Sequence, residues 1–207
     1  YVNALFGEEG LITLDADDHE LKSLFKPVME ENIFQHSTIQ HVNATNKQLA
    51  DLGHKTQVFC RDINFFYLDD NLRSRIEQHG DRYRVVDSDL EFTETELHSL
   101  IEESPEKFSP NVILRPLYQE WILPNLAYVG GPAESIYWLQ LKKVFDHYRV
   151  PFPMLMPRNF ALIVDHTVQR KLEKTGLQLK HYFEDKNYLF NHWTLKNSRA
   201  DLTVGTE

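Results

Sequence analysis

The sequence has few of the features that mark secreted, membrane-spanning or nucleic-acid-binding proteins. Cys60 is the only cysteine among 207 residues, so no internal disulfide can form, and a reducing cytoplasm is the expected compartment. No apolar run approaches the roughly 20 residues that a membrane-spanning helix needs, and the chain does not start like a signal peptide. The net charge of -9 and the lack of Lys/Arg runs argue against nucleic acid or an anionic membrane as partner.

The common catalytic signatures are missing as well. The ten histidines show no HExxH or Cys/His spacing, so we predict no metal site. No GxSxG elbow is present, which removes the commonest hydrolase class. Cys60 lies in a predicted strand without a nearby histidine, and we expect a small core residue there rather than a nucleophile.

What the chain does contain is the composition of a globular protein, with 42% hydrophobic and 26% charged residues. It begins at Tyr1 rather than Met and ends in TVGTE, so we expect a piece of a longer protein.

The first half predicts helices followed by a small antiparallel meander. A strand is expected at 11–14, then helices over 19–52 that are interrupted at Pro27 and end before Gly53. Segments rich in aromatic and β-branched residues predict three strands, at 56–60, 63–68 and 83–86. We interpret residues 56–86 as an insertion in a larger core.

The second half alternates strands with helices, which predicts a mostly parallel sheet with right-handed crossovers. Thr93 and Glu96 form a capping box that starts a helix ending before Pro105. The later elements are strand 111–115, a helix around LYQEWIL, strand 126–129, helix 133–148 and strand 154–164. From Thr167 onward the pattern is helical with a break at Gly176, and the aromatic segment 177–195 is expected to pack against the core or a second chain.

The stretch AYVGGPAES joins a predicted strand to a predicted helix through two glycines and a proline. Free N–H groups and the helix dipole at such a junction favour an anion, and Gly130 and Gly131 allow a ligand close to the backbone. The alternative is a tight turn in which Glu134 caps its own helix. An ionised Glu134 would repel phosphate and attract an ammonium group, so a ligand with both an amine and a carboxylate would suit the junction.

Other polar residues of the same region complete the candidate site. Arg115 is predicted at the C-terminal end of a strand, where it would clamp a carboxylate or phosphate, or else pair with Glu120. We take Arg115, Glu120 and Glu134 as candidate catalytic residues. The candidate binding residues are Tyr118, Gln119, Asn125, Tyr128, Gly130, Gly131 and Arg158. Gln119 and Asn125 are about as well suited to satisfying loop backbone as to touching substrate.

One long stretch carries a family resemblance: SPNVILRPLYQEWILPNLAYVGGPAESIYWLQLKKVFDHYRVPFPMLMPRNFALIV. It resembles the signature region of the bacillithiol biosynthesis cysteine-adding enzymes, as do LFGEEGLITLDADD and CRDINFFYLDD, so the match covers about residues 2–176. On this basis residues 1–176 are the central part of a Rossmann-like core and 177–207 begin a C-terminal helical coiled coil. The amino-terminal part and most of the coiled coil would lie outside the chain.

The resemblance implies an enzyme that joins cysteine to glucosaminyl-malate through a new amide bond and dimerises through the coiled coil. A carboxylate must be activated before it forms an amide, so we expect ATP or ADP as the nucleotide. We expect this chain to be inactive without the remaining parts. The competing hypothesis is a non-catalytic nucleotide-binding scaffold or interaction module of the same fold.

Overall fold

The computed structural model describes residues 1–198, which fall into two compact units. The first unit runs from Tyr1 to Arg158, and the second begins at Asn159. The sequence-based division placed its boundary at Gly176 instead.

The first unit is built from eight α-helices and seven strands within the described residues. The helices are α1 (Val2–Phe6), α2 (His19–Ser23), α3 (Lys26–Glu30), α4 (Ser37–Asp51), α5 (Glu94–Glu103), α6 (Arg115–Ile122), α7 (Pro132–Leu139) and α8 (Lys142–Tyr148). A π-helical segment, Glu31–Gln35, separates α3 from α4, and short 3-10 turns cover Gly7–Glu9 and Pro105–Lys107. The predicted helical region 19–52 is therefore more broken than expected, but it does end before Gly53.

The strands form two sheets. They are β1 (Phe65–Asp69), β2 (Leu72–His79), β3 (Arg82–Val85), β4 (Glu91–Thr93), β5 (Phe108–Pro110), β6 (Ala127–Gly130) and β7 (Met154–Pro157). The first five make one antiparallel sheet in the order β4-β3-β2-β1-β5, and β6 pairs with β7 in parallel. The α/β content agrees with the predicted fold class, whereas the prediction of a mostly parallel sheet was wrong. Short turns join β1, β2 and β3, which forces neighbouring strands to run in opposite directions.

The predicted strand 111–115 is wrong because its apolar residues are buried in a turn. Asn111 donates from Nδ2 to Asn64 Oδ1 at 3.0 Å, and its own Oδ1 accepts from the Ile113 N–H at 2.8 Å. Ile113 and Leu114 are fully buried just before α6 begins. Burial in the turn explains why these residues are apolar. The side-chain hydrogen bonds of Asn111 take the place of the backbone hydrogen bonds that a neighbouring strand would form.

The predicted strand 56–60 is absent for a similar reason. The N–H groups of Gln57 and Val58 both donate to Oε1 of Gln140, at 2.7 and 3.1 Å, and Gln140 Nε2 donates to the Val58 carbonyl at 3.1 Å. One fully buried amide side chain thus takes the place of a neighbouring strand. Residues 11–14 also form no strand, although the following turn does lead into α2, with Asp18 accepting from the Leu21 N–H at 3.0 Å.

Local helix signals were more reliable. Thr93 and Glu96 form the predicted capping box, and α5 ends before Pro105. The predicted apolar stripe along 133–148 is buried, but the helix is interrupted at Gln140 and Leu141, so it forms α7 and α8. Strand 154–164 is shorter than predicted and ends at Pro157.

The second unit contains α9 (His166–Thr175), a 3-10 turn at Leu179–Phe183 and α10 (Lys186–Asn197). Gly176 ends α9 with φ 68°, as the predicted break requires. Residues 177–195 are not one continuous helix, and the structure does not show the predicted coiled coil; the last nine residues of that prediction, 199–207, lie outside the described residues. No helix in residues 1–198 has both the length and the apolar character needed to cross a membrane.

Candidate functional site

The strand-to-helix junction at Gly131 is closed by Glu134. The Gly131 N–H donates to Glu134 Oε2 at 2.8 Å, and the Tyr128 hydroxyl donates to Oε1 at 3.2 Å. Glu134 therefore caps its own helix, as the tight-turn alternative predicts. The bond from the Gly131 N–H is the main reason why the pKa of Glu134 lies below its usual value, so the side chain is ionised at neutral pH.

The two glycines of the junction have different neighbours. A Cβ added to Gly130 would lie 2.7 Å from Cε1 of the Tyr128 ring, so no side chain fits without moving that ring. A Cβ added to Gly131 would instead lie 3.3 Å from Nη2 of Arg158 and 3.4 Å from Oε2 of Glu134. One point beside Gly131 is therefore close to both a cationic and an anionic group.

Arg158 reaches this place because β6 and β7 are parallel. Its N–H donates to the Gly130 carbonyl at 2.9 Å, so the backbone pairing continues just past the end of β7. The carboxyl ends of parallel strands meet at one edge of a sheet, which is where ligands bind in open α/β folds. The Arg158 side chain is exposed there.

Arg115 is the first residue of α6, so the prediction that it ends a strand was wrong. Its Nη1 donates to Gln119 Oε1 at 3.1 Å and its Nη2 to the Tyr137 hydroxyl at 3.0 Å. The pKa of Tyr128 is raised because burial outweighs the opposing effect of the Arg115 guanidinium. Arg115 thus lies near the junction, but it reaches it from α6 rather than from the end of a strand.

Gln119, Glu120 and Asn125 satisfy one another. Glu120 is 1% exposed and accepts from Gln119 Nε2 at 3.1 Å, from the Asn125 N–H at 2.8 Å and from Asn125 Nδ2 at 2.9 Å. Asn125 Nδ2 also donates to the Leu123 carbonyl. These contacts hold the loop between α6 and β6, and Gln119 links them to Arg115.

Tyr118 points to another part of the molecule. Its hydroxyl donates to the Ala16 carbonyl at 3.1 Å, and its ring packs against Phe25 with centroids 5.0 Å apart. Burial raises the pKa of Tyr118 to about 12. The structure therefore brings nine of the ten predicted residues to the junction or to the α6–β6 loop, and it separates Tyr118 from them.

Sequence reasoning missed three residues at the junction. Tyr137 bonds to Arg115, and Trp138 stacks on Tyr128 with centroids 4.1 Å apart. Both belong to a helical apolar pattern that signals only burial. The Ser135 hydroxyl oxygen would lie 3.3 Å from a Cβ on Gly130, and within residues 1–198 it is buried without a hydrogen-bond partner.

Cysteine chemistry and metal binding find little support in the described residues. Cys60 is half-buried, and burial raises the pKa of its thiol to about 11, which suits the expected packing role better than nucleophilic attack. Residues 1–198 contain no group of three or more His, Cys, Asp or Glu side chains arranged to hold a metal ion.

Comparison with known proteins points to one family. Residues 1–159 match the family model described as "Bacillithiol biosynthesis BshC, N-terminal Rossmann-like domain". Proteins named "Putative cysteine ligase BshC" from Cytophaga hutchinsonii and Flavobacterium johnsoniae are each 42% identical, over 88% and 99% of this chain. The protein of that name from Staphylococcus haemolyticus is 32% identical over 86% of this chain. These alignments cover 35%, 39% and 34% of the three relatives, so the chain spans well under half of their length.

Proposed function

The chain belongs to the BshC family of bacillithiol biosynthesis, and we propose that it is part of a cysteine ligase joining cysteine to glucosaminyl-malate through a new amide bond. Its Rossmann-like domain would contribute the junction around Gly131 as the place where the amino acid binds. The activity belongs to the full-length enzyme, which we place in the cytoplasm because the chain's single cysteine suits a reducing compartment.

The opposite charges beside Gly131 support an amino acid as ligand. Glu134 Oε2 and Arg158 Nη2 both lie within 3.4 Å of the position that a Cβ would take on Gly131. The ammonium group of cysteine would bind Glu134, and its carboxylate would bind the exposed Arg158 guanidinium. This observation supports an amino acid as the ligand, and the names of the relatives favour cysteine.

The other candidate residues form hydrogen bonds within the protein, and we propose that they support the site rather than bind substrate. Arg115 is held by Gln119 and Tyr137, so we propose that it fixes Tyr128 and Tyr137 rather than binding the carboxylate itself. Glu120 is buried among donors and holds the loop at Asn125. Of the three residues predicted to be catalytic, Glu134 is the one best placed to touch substrate.

A nucleotide phosphate does not fit the junction. Glu134 already accepts from the Gly131 N–H at 2.8 Å, and its negative charge lies where a phosphate would have to bind. We keep ATP or ADP as the proposed source of activation, but with its phosphates bound elsewhere, and no step at this junction depends on it.

One observation fits the scaffold alternative as well as it fits the ligase. Gln119, Glu120 and Asn125 use one another as hydrogen-bond partners, which a non-catalytic fold would require equally. Production of the conjugate by the full-length protein separates the two hypotheses, because a scaffold forms no amide.

The proposal is tested by incubating full-length protein with cysteine and glucosaminyl-malate, with and without ATP, and measuring the conjugate by mass spectrometry. Glu134→Gln keeps an acceptor for the Gly131 N–H but loses the charge, and Arg158→Gln loses the exposed guanidinium. Each variant should lower kcat/KM for cysteine about tenfold to hundredfold, the usual value of a charged hydrogen bond. Melting temperatures should stay close to that of the unmodified protein.

Arg170→Gln is the matched control, because it removes one exposed arginine from α9. It should leave turnover and melting temperature unchanged. Full turnover in both Glu134→Gln and Arg158→Gln would contradict the binding site, and absence of conjugate from the unmodified full-length protein would contradict the ligase.

A further inference from the structure

Four arginines line a groove beside the five-stranded sheet, and Gly130, Gly131, Glu134 and Arg158 are not among its lining residues. The groove has a volume of about 550 Å³, within the range of small-molecule sites. Its arginines come from the loop before β1, from β2 and from the start of α6: Arg61, Arg73, Arg75 and Arg115. We call it the arginine groove.

The strand pattern explains why β2 supplies two of them. Arg73 and Arg75 are two residues apart, so their side chains lie on the same face of β2. Phe66 on β1 is the register partner of Arg75, and the Arg73 guanidinium lies 3.9 Å from the centre of the Phe66 ring. A cation–aromatic contact of this kind holds the guanidinium in place.

The positive charge of the groove is not balanced by its own walls. Among the described residues that line it, none is acidic. Arg75 has Glu77 at 3.5 Å, whereas Arg61, Arg73 and Arg115 form no ion pair within residues 1–198. Clustered like charges repel one another, so the groove favours an anion that would offset the repulsion. The cluster is also unusual for this molecule, because the whole chain carries a net charge of -9.

The walls between the arginines are apolar and partly open. Phe59 is 86% exposed, and Val112 is 40% exposed. Guanidinium groups bind carboxylates and phosphates in pairs of parallel hydrogen bonds, and exposed apolar walls accept the organic part of a ligand.

We infer that the arginine groove binds a small molecule with two or more negative charges, carried by carboxylates or by phosphates. Arg73 and Arg61 would contact the anionic groups directly, and Arg75 would do so at the cost of its contact with Glu77. Arg115 lines this groove and also donates to the Tyr137 hydroxyl beside the junction at Gly131. The inference does not depend on the proposed ligase activity, since it concerns binding alone.

Isothermal titration calorimetry on the full-length protein tests the inference with defined ligands. Malate and succinate represent dicarboxylates, inorganic pyrophosphate and ADP represent phosphates, and acetate is the singly charged control. At least one dianion should bind saturably, and acetate should bind far more weakly. Binding of the dicarboxylates alone or of the phosphates alone would support the site and identify its chemistry.

Variants locate the binding. Arg73→Gln and Arg61→Gln should each weaken the dianion about tenfold to hundredfold, as expected for the loss of a charged hydrogen bond. Arg73→Lys should retain part of the affinity, because the charge remains while the planar fork is lost. Arg170→Gln changes the net charge equally but lies outside the groove, and it should bind like the unmodified protein.

Two outcomes would overturn the inference. One is the absence of any saturable dianion binding by a protein whose melting temperature shows that it is folded. The other is an equal loss of affinity in Arg61→Gln, Arg73→Gln and Arg170→Gln, which would show that net charge rather than the groove attracts the anion. Neither outcome bears on the cysteine assay, so a failed groove and a failed ligase proposal remain distinguishable.

Discussion

Gly130 and Gly131 are adjacent in sequence but meet different constraints. Gly130 lies against the rigid Tyr128 ring, which is itself stacked on Trp138. Gly131 lies against the ends of two long charged side chains, Glu134 and Arg158. Packing therefore requires the first glycine, whereas access to the charged groups requires the second.

We predict that Gly130→Ala lowers the free energy of unfolding by about 1–3 kcal/mol, the usual cost of overpacking. Gly131→Ala should cost less than about 1 kcal/mol, because its φ of -67° suits alanine and the neighbouring side-chain ends can move. It should nevertheless lower turnover, since the methyl group would lie between Glu134 and Arg158. Urea unfolding together with the conjugate assay checks both variants. Equal stability losses would show that the two glycines do not differ as the geometry indicates.

At the scale of elements, the contact between α4 and α8 includes two stacked histidines. His41 on α4 stacks on His147 on α8 with centroids 4.2 Å apart, and His147 Nε2 lies 2.5 Å from Oε1 of Glu31. Burial and the neighbouring His147 lower the pKa of His41, with Lys143 acting in the same direction and Glu31 against it. This helix pair therefore favours a neutral His41.

We predict that the protein loses stability as the pH falls below about 6.5, the ordinary histidine pKa. A histidine whose folded pKa is lowered binds its proton more readily when unfolded, so acid favours the unfolded state. His41→Asn should make the fall in unfolding free energy between pH 7.5 and pH 5.5 smaller. His54→Asn, at an exposed position, should leave it unchanged. An unaltered pH dependence in His41→Asn would show that other groups cause it.

At the scale of the whole molecule, the second unit leaves large aromatic side chains uncovered. Within the described residues, Phe183 is 80% exposed, Tyr188 58% and Phe190 57%. So much exposed aromatic surface in one helical region favours an interaction surface. We therefore propose that the full-length protein is a homodimer through its C-terminal helical part.

Sedimentation of the full-length protein checks this proposal. The unmodified protein should sediment as a dimer at micromolar concentration, and Phe190→Ser should shift it towards monomer by removing apolar contact area. Asn191→Ser, at the neighbouring exposed position, should remain dimeric. A monomeric unmodified protein would contradict the proposal.

The family and the features that depend on neighbouring residues could be predicted from the amino-acid sequence. The stretch from Ser109 to Val164 carries the family resemblance that the comparison of residues 1–159 confirms. The capping box at Thr93, the end of α9 at Gly176 and the stripe of α7 and α8 follow from spacings of a few residues. Such signals act within one or two helical turns and need no distant partner.

Contacts between groups that are distant in sequence could not be predicted, because they depend on the folded arrangement of the whole unit. Gln140 pairs with the backbone of Gln57, 83 residues away, and so removes a predicted strand. The Arg115–Tyr137 contact, the approach of Arg158 to Gly131 and the antiparallel order of the large sheet likewise join separate segments. An apolar run predicts that its residues are buried. Such residues can be buried equally well in a strand, in a turn or at the start of a helix. The choice among them is made by hydrogen-bond partners that sequence spacing does not reveal.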